Sequence, residues 1–181
     1  SVSKYSAEKE AFRGAAEGLN TSIINPCVII GPGNWHRSSL TILKAGSKGM
    51  KYYPSGGNAI VDARDVSNIV LKLLYSEESG EKYLTIGHNI SFKDLFGLIA
   101  KSMNQKAPTK KLNKTLAYIT AFTIENTYRI FRKRSPISIE SIQSAYKTQE
   151  YSNEKVKKRF DYEFHSLENT MENAIKGRFN D

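Results

Sequence analysis

Apolar residues follow two distinct rhythms along the chain. In 66–74 they recur as Val66, Ile69, Val70, Leu73 and Leu74, the three- and four-residue spacing that lines one face of a helix. Phe92, Leu95, Phe96, Ile99 and Met103 repeat that rhythm, and Ser91 with Asp94 three residues on predicts a capping box at its start. By contrast, "TSIINPCVIIGPG" is a continuous β-branched run stopped by Gly31-Pro32-Gly33, which predicts one strand covered on both faces, as in a parallel sheet. An Ala-, Glu- and Lys-rich stretch predicts a helix over 3–18, ended by Gly18. A further helix is expected over 38–48. "MKYYPSGG" and "NAIVDA" read as two short strands separated by a Gly-Gly turn, with Asp65 capping the helix that follows and pairing with Arg64. "EKYLTIG" reads as another strand. The order helix, strand, helix, two strands, helix, strand, helix predicts an α/β protein. After Pro108 the pattern turns helical, with helices expected over 111–132, 138–147, 153–160 and 166–177.

Composition adds limits rather than detail. Hydrophobic residues at 39% and charged residues at 25% fit a globular chain. No apolar run is long enough to cross a bilayer and no secretory leader opens the chain, so no membrane partner is expected. The single Cys27 cannot form an intrachain disulfide, and a reducing, cytoplasmic setting follows as the expectation. The net charge of +9 is concentrated: residues 101–134 hold nine Lys or Arg against Glu125 alone, a local +8. Such a segment attracts nucleic acid, an acidic membrane surface or a phosphorylated ligand, or is simply a solvated helix face. It carries neither zinc-finger spacing nor an aromatic RNA-binding signature, and no metal site is expected.

Candidate chemistry begins at the first helix. Tyr5-Ser6-Ala7-Glu8-Lys9 places a phenol and an ammonium one turn apart, a spacing that suits proton exchange with a hydroxyl or carbonyl. The chain resembles the extended short-chain dehydrogenases/reductases, in particular the dihydroflavonol-reductase-like and epimerase/dehydratase members. The resemblance is carried by "SKYSAEKEAFR", "EGLNTSIINPCVIIGPGN", "YYPSGGNAIVDARDVSNIV" and "GEKYLTIGHNISFKDLFGLIAKSMNQKAP", in that order and spacing. It also changes the register. The family's catalytic Lys is followed by Ala and Glu three and four residues later, and precedes the Pro of the next strand by one helix and a turn. Lys4 meets both conditions through Ala7, Glu8 and Pro26, and Lys9 meets neither. Tyr5 is then a helix-packing or interface residue, and the matching Tyr belongs immediately ahead of Ser1.

The resemblance implies further roles. Lys4 would bind the nicotinamide ribose of NAD or NADP and tune the Tyr. Pro26, Cys27 and Val28 would lie against the nicotinamide. Ser38 and Ser39 would either touch the cofactor pyrophosphate or simply cap the next helix. Trp35 and His36, in the loop after that strand, would border the substrate or lie on the surface. Nucleotide-sugar members carry an Arg where this chain has Asn58, which favours a small carbonyl or alcohol substrate. The glycine-rich phosphate loop and the first five strands would lie upstream, so the 181 residues alone are not expected to catalyse.

The fold implied is therefore the C-terminal part of a doubly wound Rossmann-type sheet with a small, mostly helical substrate-binding region. Residues 1–33 would end the dinucleotide-binding domain and 34–64 would be a substrate-region insertion. Residues 65–104 would complete the Rossmann layer, and 105–181 would form the helical region. The expected activity is hydride transfer on a small carbonyl or alcohol. Nucleotide-sugar epimerisation or dehydration is the alternative, and nucleic-acid binding through 101–134 the second. A homodimer through the Lys4-bearing helix is also implied.

Overall fold

The computed structural model describes residues 2–131, 135 and 137–179, with the backbone alone at Val2, Ser38, Arg178 and Phe179. Helix α1 (Val2–Ala16) leads to β1 (Ser22–Pro26), β2 (Val28–Ile30) and a two-residue β3 (Gly33–Asn34). A 3-10 turn (Ser38–Leu40) precedes α2 (Thr41–Ser47), β4 (Tyr52–Tyr53), β5 (Gly57–Asp62) and α3 (Ala63–Leu74). Then come β6 (Glu81–Thr85), β7 (His88–Ser91), α4 (Phe92–Ser102) and β8 (Lys110–Lys111). The last stretch holds α5 (Lys114–Ile130), α6 (Ile139–Ala145), α7 (Glu154–Phe160), α8 (Leu167–Lys176) and β9 (Arg178–Phe179). The α/β order and the helical final third are as the sequence predicts.

The apolar run 21–33 differs from its prediction: it forms two strands, not one. β1 pairs in parallel with β6, from Ser22 opposite Glu81 to Pro26 opposite Thr85. Pro26 has no amide hydrogen to continue a ladder. The Cys27 amide still donates to the Thr85 carbonyl (3.2 Å), but Val28 already pairs with Ile60 of β5. On the partner side the Gly87 amide donates to the Ile60 carbonyl (3.0 Å). Both strands thus leave one sheet for another at the same level, and the sheet forks.

Beyond the fork, β5 lies between β2, in parallel, and β7, antiparallel. Only Asn58 of β5 escapes full burial, as a strand covered on both faces requires. The predicted Gly-Gly turn between adjacent strands is also corrected. β4 pairs with β8, and the Gly56 and Gly57 amides donate instead to the carbonyls of Ala145 and Lys147 (both 3.1 Å). Those two glycines dock the distant helical region onto the sheet.

The predicted caps fare differently. Ser91 caps α4, accepting from the Asp94 amide (3.1 Å). Asp62, not Asp65, caps α3 and pairs with Arg64: its carboxylate accepts from the Arg64 amide (2.8 Å), Nε (2.9 Å) and Nη2 (2.6 Å). Asp65 lies one turn further in, fully buried, and accepts from Tyr162 (2.8 Å) and from His165. The core proper gathers Ile30, Trp35, Leu43, Ile60, Leu95 and Ile99 with Met171 of α8. A smaller cluster of Ile69, Tyr83 and Val156 joins α3, β6 and α7.

Candidate functional site

A cavity of about 710 Å³ opens at the fork between β1 and β2. Its floor is the fork itself, Asn25 through Ile29, extended by Leu84 and Ile86. Lys4 enters from α1, Ser39 from the 3-10 turn, and Gly57 with Asn58 from β5. The remaining wall comes from Ser144 in the last turn of α6 and from Lys147, Gln149 and Tyr151 beyond it. Lys4, Pro26, Cys27, Val28 and Ser39, all singled out in the sequence, therefore meet in one place. Ser38 opens the 3-10 turn, and its side chain lies outside what is described. Trp35 is brought elsewhere, packing in the core at 1% exposure. His36 is exposed, its ring 2.8 Å (Nδ1) and 3.2 Å (Nε2) from the Lys44 ammonium.

The position of Lys4 is fixed one turn away. Glu8 accepts from Asn25 Nδ2 (2.9 Å) and from Lys82 Nζ (3.0 Å), tying α1 to the ends of both β1 and β6. The bond from Asn25 and then that from Lys82 hold the Glu8 carboxyl below the usual carboxylate range. Tyr5 lies 61% exposed, with the Lys9 ammonium over its ring at 4.5 Å. The Tyr5–Lys9 pair is thus a cation–π contact away from the cavity lining.

Chemistry at the floor is apolar. Burial pushes the Cys27 thiol up to about 12, against nearby backbone hydrogen bonds that favour the thiolate. Cys27 is consequently a protonated packing group, not a nucleophile. The Ser39 hydroxyl donates to the Ile29 carbonyl (2.8 Å) and ties the turn to β2. Two lysines, Lys4 and Lys147, line the cavity and, among the described residues, no carboxylate does, so its field favours an anionic guest. Asn89 clamps the Tyr151 backbone in both directions, donating to its carbonyl (2.8 Å) and accepting from its amide (3.1 Å). Tyr151 in turn donates its hydroxyl to Gln149 Oε1 (2.5 Å).

The size, the apolar floor and the bordering lysines fit the nicotinamide-ribose end of a dinucleotide. Nothing lining the cavity supplies the glycine-rich cradle that a pyrophosphate needs at a helix N-terminus. The residues present therefore fit one end of such a cofactor. Among the described residues, no three His, Cys, Asp or Glu side chains gather to hold a metal ion.

Neither a protein-family model nor a curated protein matches the sequence. Solved structures do. The chain is similar to gox2253, with a TM-score of 0.74 and 29% identity over 97% of this chain and 54% of that one. It is similar to PA4631, a nucleoside-diphosphate-sugar epimerase from Pseudomonas aeruginosa (TM-score 0.72, 23% identity, 96% of this chain, 53% of that one). It is also similar to RMD from Pseudomonas aeruginosa complexed with NADPH (TM-score 0.65, 15% identity, 97% of this chain, 54% of that one). The fold is that of the C-terminal portion of the NAD-dependent epimerase/dehydratase proteins. This chain spans about half the length of these solved structures.

Within the epimerase/dehydratase fold, sequence reasoning found the floor and missed the far wall. Lys147 is held at the cavity by Gly56 and Gly57, which bond the Ala145 and Lys147 carbonyls from about ninety residues away, and Tyr151 is held by Asn89. No local pattern marks that closure. The one available signal was the pair of glycines beside a strand, a sign of close backbone approach. Glu8 was legible only as half of an Ala-Glu pair, without its bonds to Asn25 and Lys82.

Proposed function

We propose that this chain is the C-terminal portion of an NAD(P)-dependent oxidoreductase or epimerase, with the fork cavity as the nicotinamide end of its cofactor cleft and the floor of its substrate site. One observation carries the reading. Lys4, Pro26, Cys27, Val28 and Ser39 come from separate elements and line a single cavity in a chain with the epimerase/dehydratase fold. A neighbour complexed with NADPH supports NAD or NADP as the cofactor.

A bound nicotinamide supplies the hydride donor or acceptor. The chain's own residues supply the setting. Pro26, Val28 and Ile29 exclude water from one side of the cleft. Lys4 places an ammonium where it binds ribose hydroxyls and favours the ionised form of a neighbouring phenol. Glu8 acts through Lys4, by fixing the turn that carries it. Lys147 offers a second positive charge to an anionic part of the substrate.

Two substrate classes stand side by side. Asn58, in place of the Arg that the resemblance expects of nucleotide-sugar enzymes, favours a small carbonyl or alcohol. Lys147, the size of the cavity and the PA4631 neighbour favour a nucleotide sugar. We assign 1–33 and 65–104 to the cofactor layer, and 34–64 with 105–181 to the substrate side. We also assign the exposed face of α1, with Tyr5 and Phe12, to a homodimer contact.

The test joins this chain to an upstream dinucleotide-binding half that places a Tyr directly before Ser1. Nicotinamide absorbance then reports turnover. Lys4→Met is expected to lower kcat/KM by about 100-fold or more, with the circular-dichroism spectrum unchanged. Lys147→Ala is expected to raise KM for a nucleotide sugar and to leave a small carbonyl substrate unaffected. Turnover that survives Lys4→Met defeats the assignment.

A further inference from the structure

The longest helix among the described residues, α5, leaves its outer face uncovered by any of them. Ala117 and Ala121 of α5 are buried, and Tyr118, Ile124 and Glu125 lie half-covered on that inner side. On the opposite side Leu116 (59%), Ile119 (56%), Phe122 (57%) and Ile130 (79%) are open to solvent. Between Lys114 and Arg129 the only charged residue is Glu125, which is turned inward and accepts from the Ile139 amide (3.0 Å). The exposed face is thus uncharged over four turns, its large side chains apolar and its polar ones chiefly threonines.

Four of its polar side chains donate to the helix's own carbonyls. Thr120 donates to the Leu116 carbonyl (2.8 Å), Thr123 to Ile119 (3.1 Å), Asn126 to Phe122 (2.8 Å) and Thr127 to Thr123 (2.8 Å). Each bond closes on the helix's own backbone, as on helices placed against hydrocarbon. The charges sit at the ends: Lys110, Lys111 and Lys114 before the helix, Arg129 in its last turn, and Arg132, Lys133 and Arg134 next in sequence.

We propose that α5 is an interfacial helix that lies flat on an anionic lipid surface, with Leu116, Ile119, Phe122 and Ile130 entering the acyl boundary and the terminal Lys and Arg residues meeting headgroups. At 17 residues it spans about 25 Å and is not long and apolar enough to cross a membrane, so it rests on the surface. A second copy is a poorer occupant, because either pairing of two such helices brings cationic ends against cationic ends. The reading is independent of the function assigned to the fork cavity.

The test is co-sedimentation of the 181-residue chain with vesicles of phosphatidylcholine, alone or with about one-third phosphatidylglycerol. Binding to the anionic vesicles is expected, with at least tenfold loss on neutral vesicles and in high salt. Ile119→Ser with Phe122→Ser should reduce binding at least tenfold, while melting temperature and circular dichroism hold because both sites are exposed. Absence of binding to anionic vesicles overturns the proposal, as does binding that the double substitution leaves intact. A dimer in gel filtration that the same substitutions abolish, without vesicle binding, assigns the face to a second copy instead. Retention on a nucleic-acid duplex without vesicle binding assigns the basic ends to nucleic acid and equally overturns it.

Discussion

Cys27 shows how burial decides chemistry at single residues. It lines the cavity and is partly accessible, yet desolvation lifts its thiol to about 12. A thiolate-directed alkylating reagent should therefore modify it negligibly at pH 8 and increasingly above pH 10, against a free-cysteine control reacting fully near pH 8.5. Fast labelling at pH 8 would mean that the fork is open to water. Asp62 makes the opposite point. Burial alone would raise its carboxyl, but the hydrogen bonds and charge of Arg64, with help from Thr170, outweigh it and leave the group below its ordinary value. Asp62→Ala removes a helix cap and the partner of Arg64, and should cost about 2 kcal/mol in urea unfolding. The stability that Asp62 contributes is complete above the unfolded carboxylate pKa, about 4, and is lost as pH falls through the lower native value. The sequence marked a cap at this site but placed it three residues late, since Asp62 and Asp65 share a spacing and only the backbone angles at Asp62 distinguish them.

At the scale of elements, helices were legible and strand partners were not. Periodicity located α3 and α4 because each buries one face against a single layer. It ran β1 and β2 together because an apolar run carries no mark of which sheet its residues join. The choice was made at Pro26, where a ladder donor is missing, and by Gly87 on the partner strand. The same limit hid the far wall of the cavity. A Cβ at Gly56 would lie 2.6 Å from the Ala145 carbonyl oxygen and would also collide with that of Lys147. Gly56→Ala should then push the 145–147 segment off the sheet, at a cost of about 1–3 kcal/mol, and move Lys147 out of the cavity. The check is a pair of measurements, thermal unfolding and binding of an anionic nucleotide. Loss of stability with unchanged binding would separate Lys147 from the site. For α1, the exposed Tyr5 and Phe12 predict that Tyr5→Asp with Phe12→Asp shifts any dimer to monomer in sedimentation.

The whole molecule divides into a large core over β2, β5 and β7 and a smaller cluster around Tyr83 that holds the β1–β6 pair. Within the described residues, β1 has β6 as its one strand partner, and the groove beside it is lined by Ala11, Ile24, Val70, Leu73 and Leu74. The composition could not announce this inequality, because both clusters draw on the same apolar residues. Tyr83 is nonetheless buried, its ring tilted against Phe160 (5.3 Å between centroids) and its hydroxyl bonded to Glu78 (2.7 Å). Burial first, then the Glu78 carboxylate, push its hydroxyl up to about 12. Tyr162, half-buried and bonded to Asp65, is also pushed up to about 12, by desolvation first. In the unfolded chain both hydroxyls ionise near pH 10. Their contribution to stability is therefore fully present below pH 10 and is lost as pH rises from about 10 towards 12, since only the unfolded state then gives up the protons. Alkaline titration followed by hydrogen exchange should show the amides of β1 and β6 opening in this window while β5 stays protected. Loss of protection in both sheets together would mean a single cooperative unit, in which opening β1 from β6 opens the fork cavity as well.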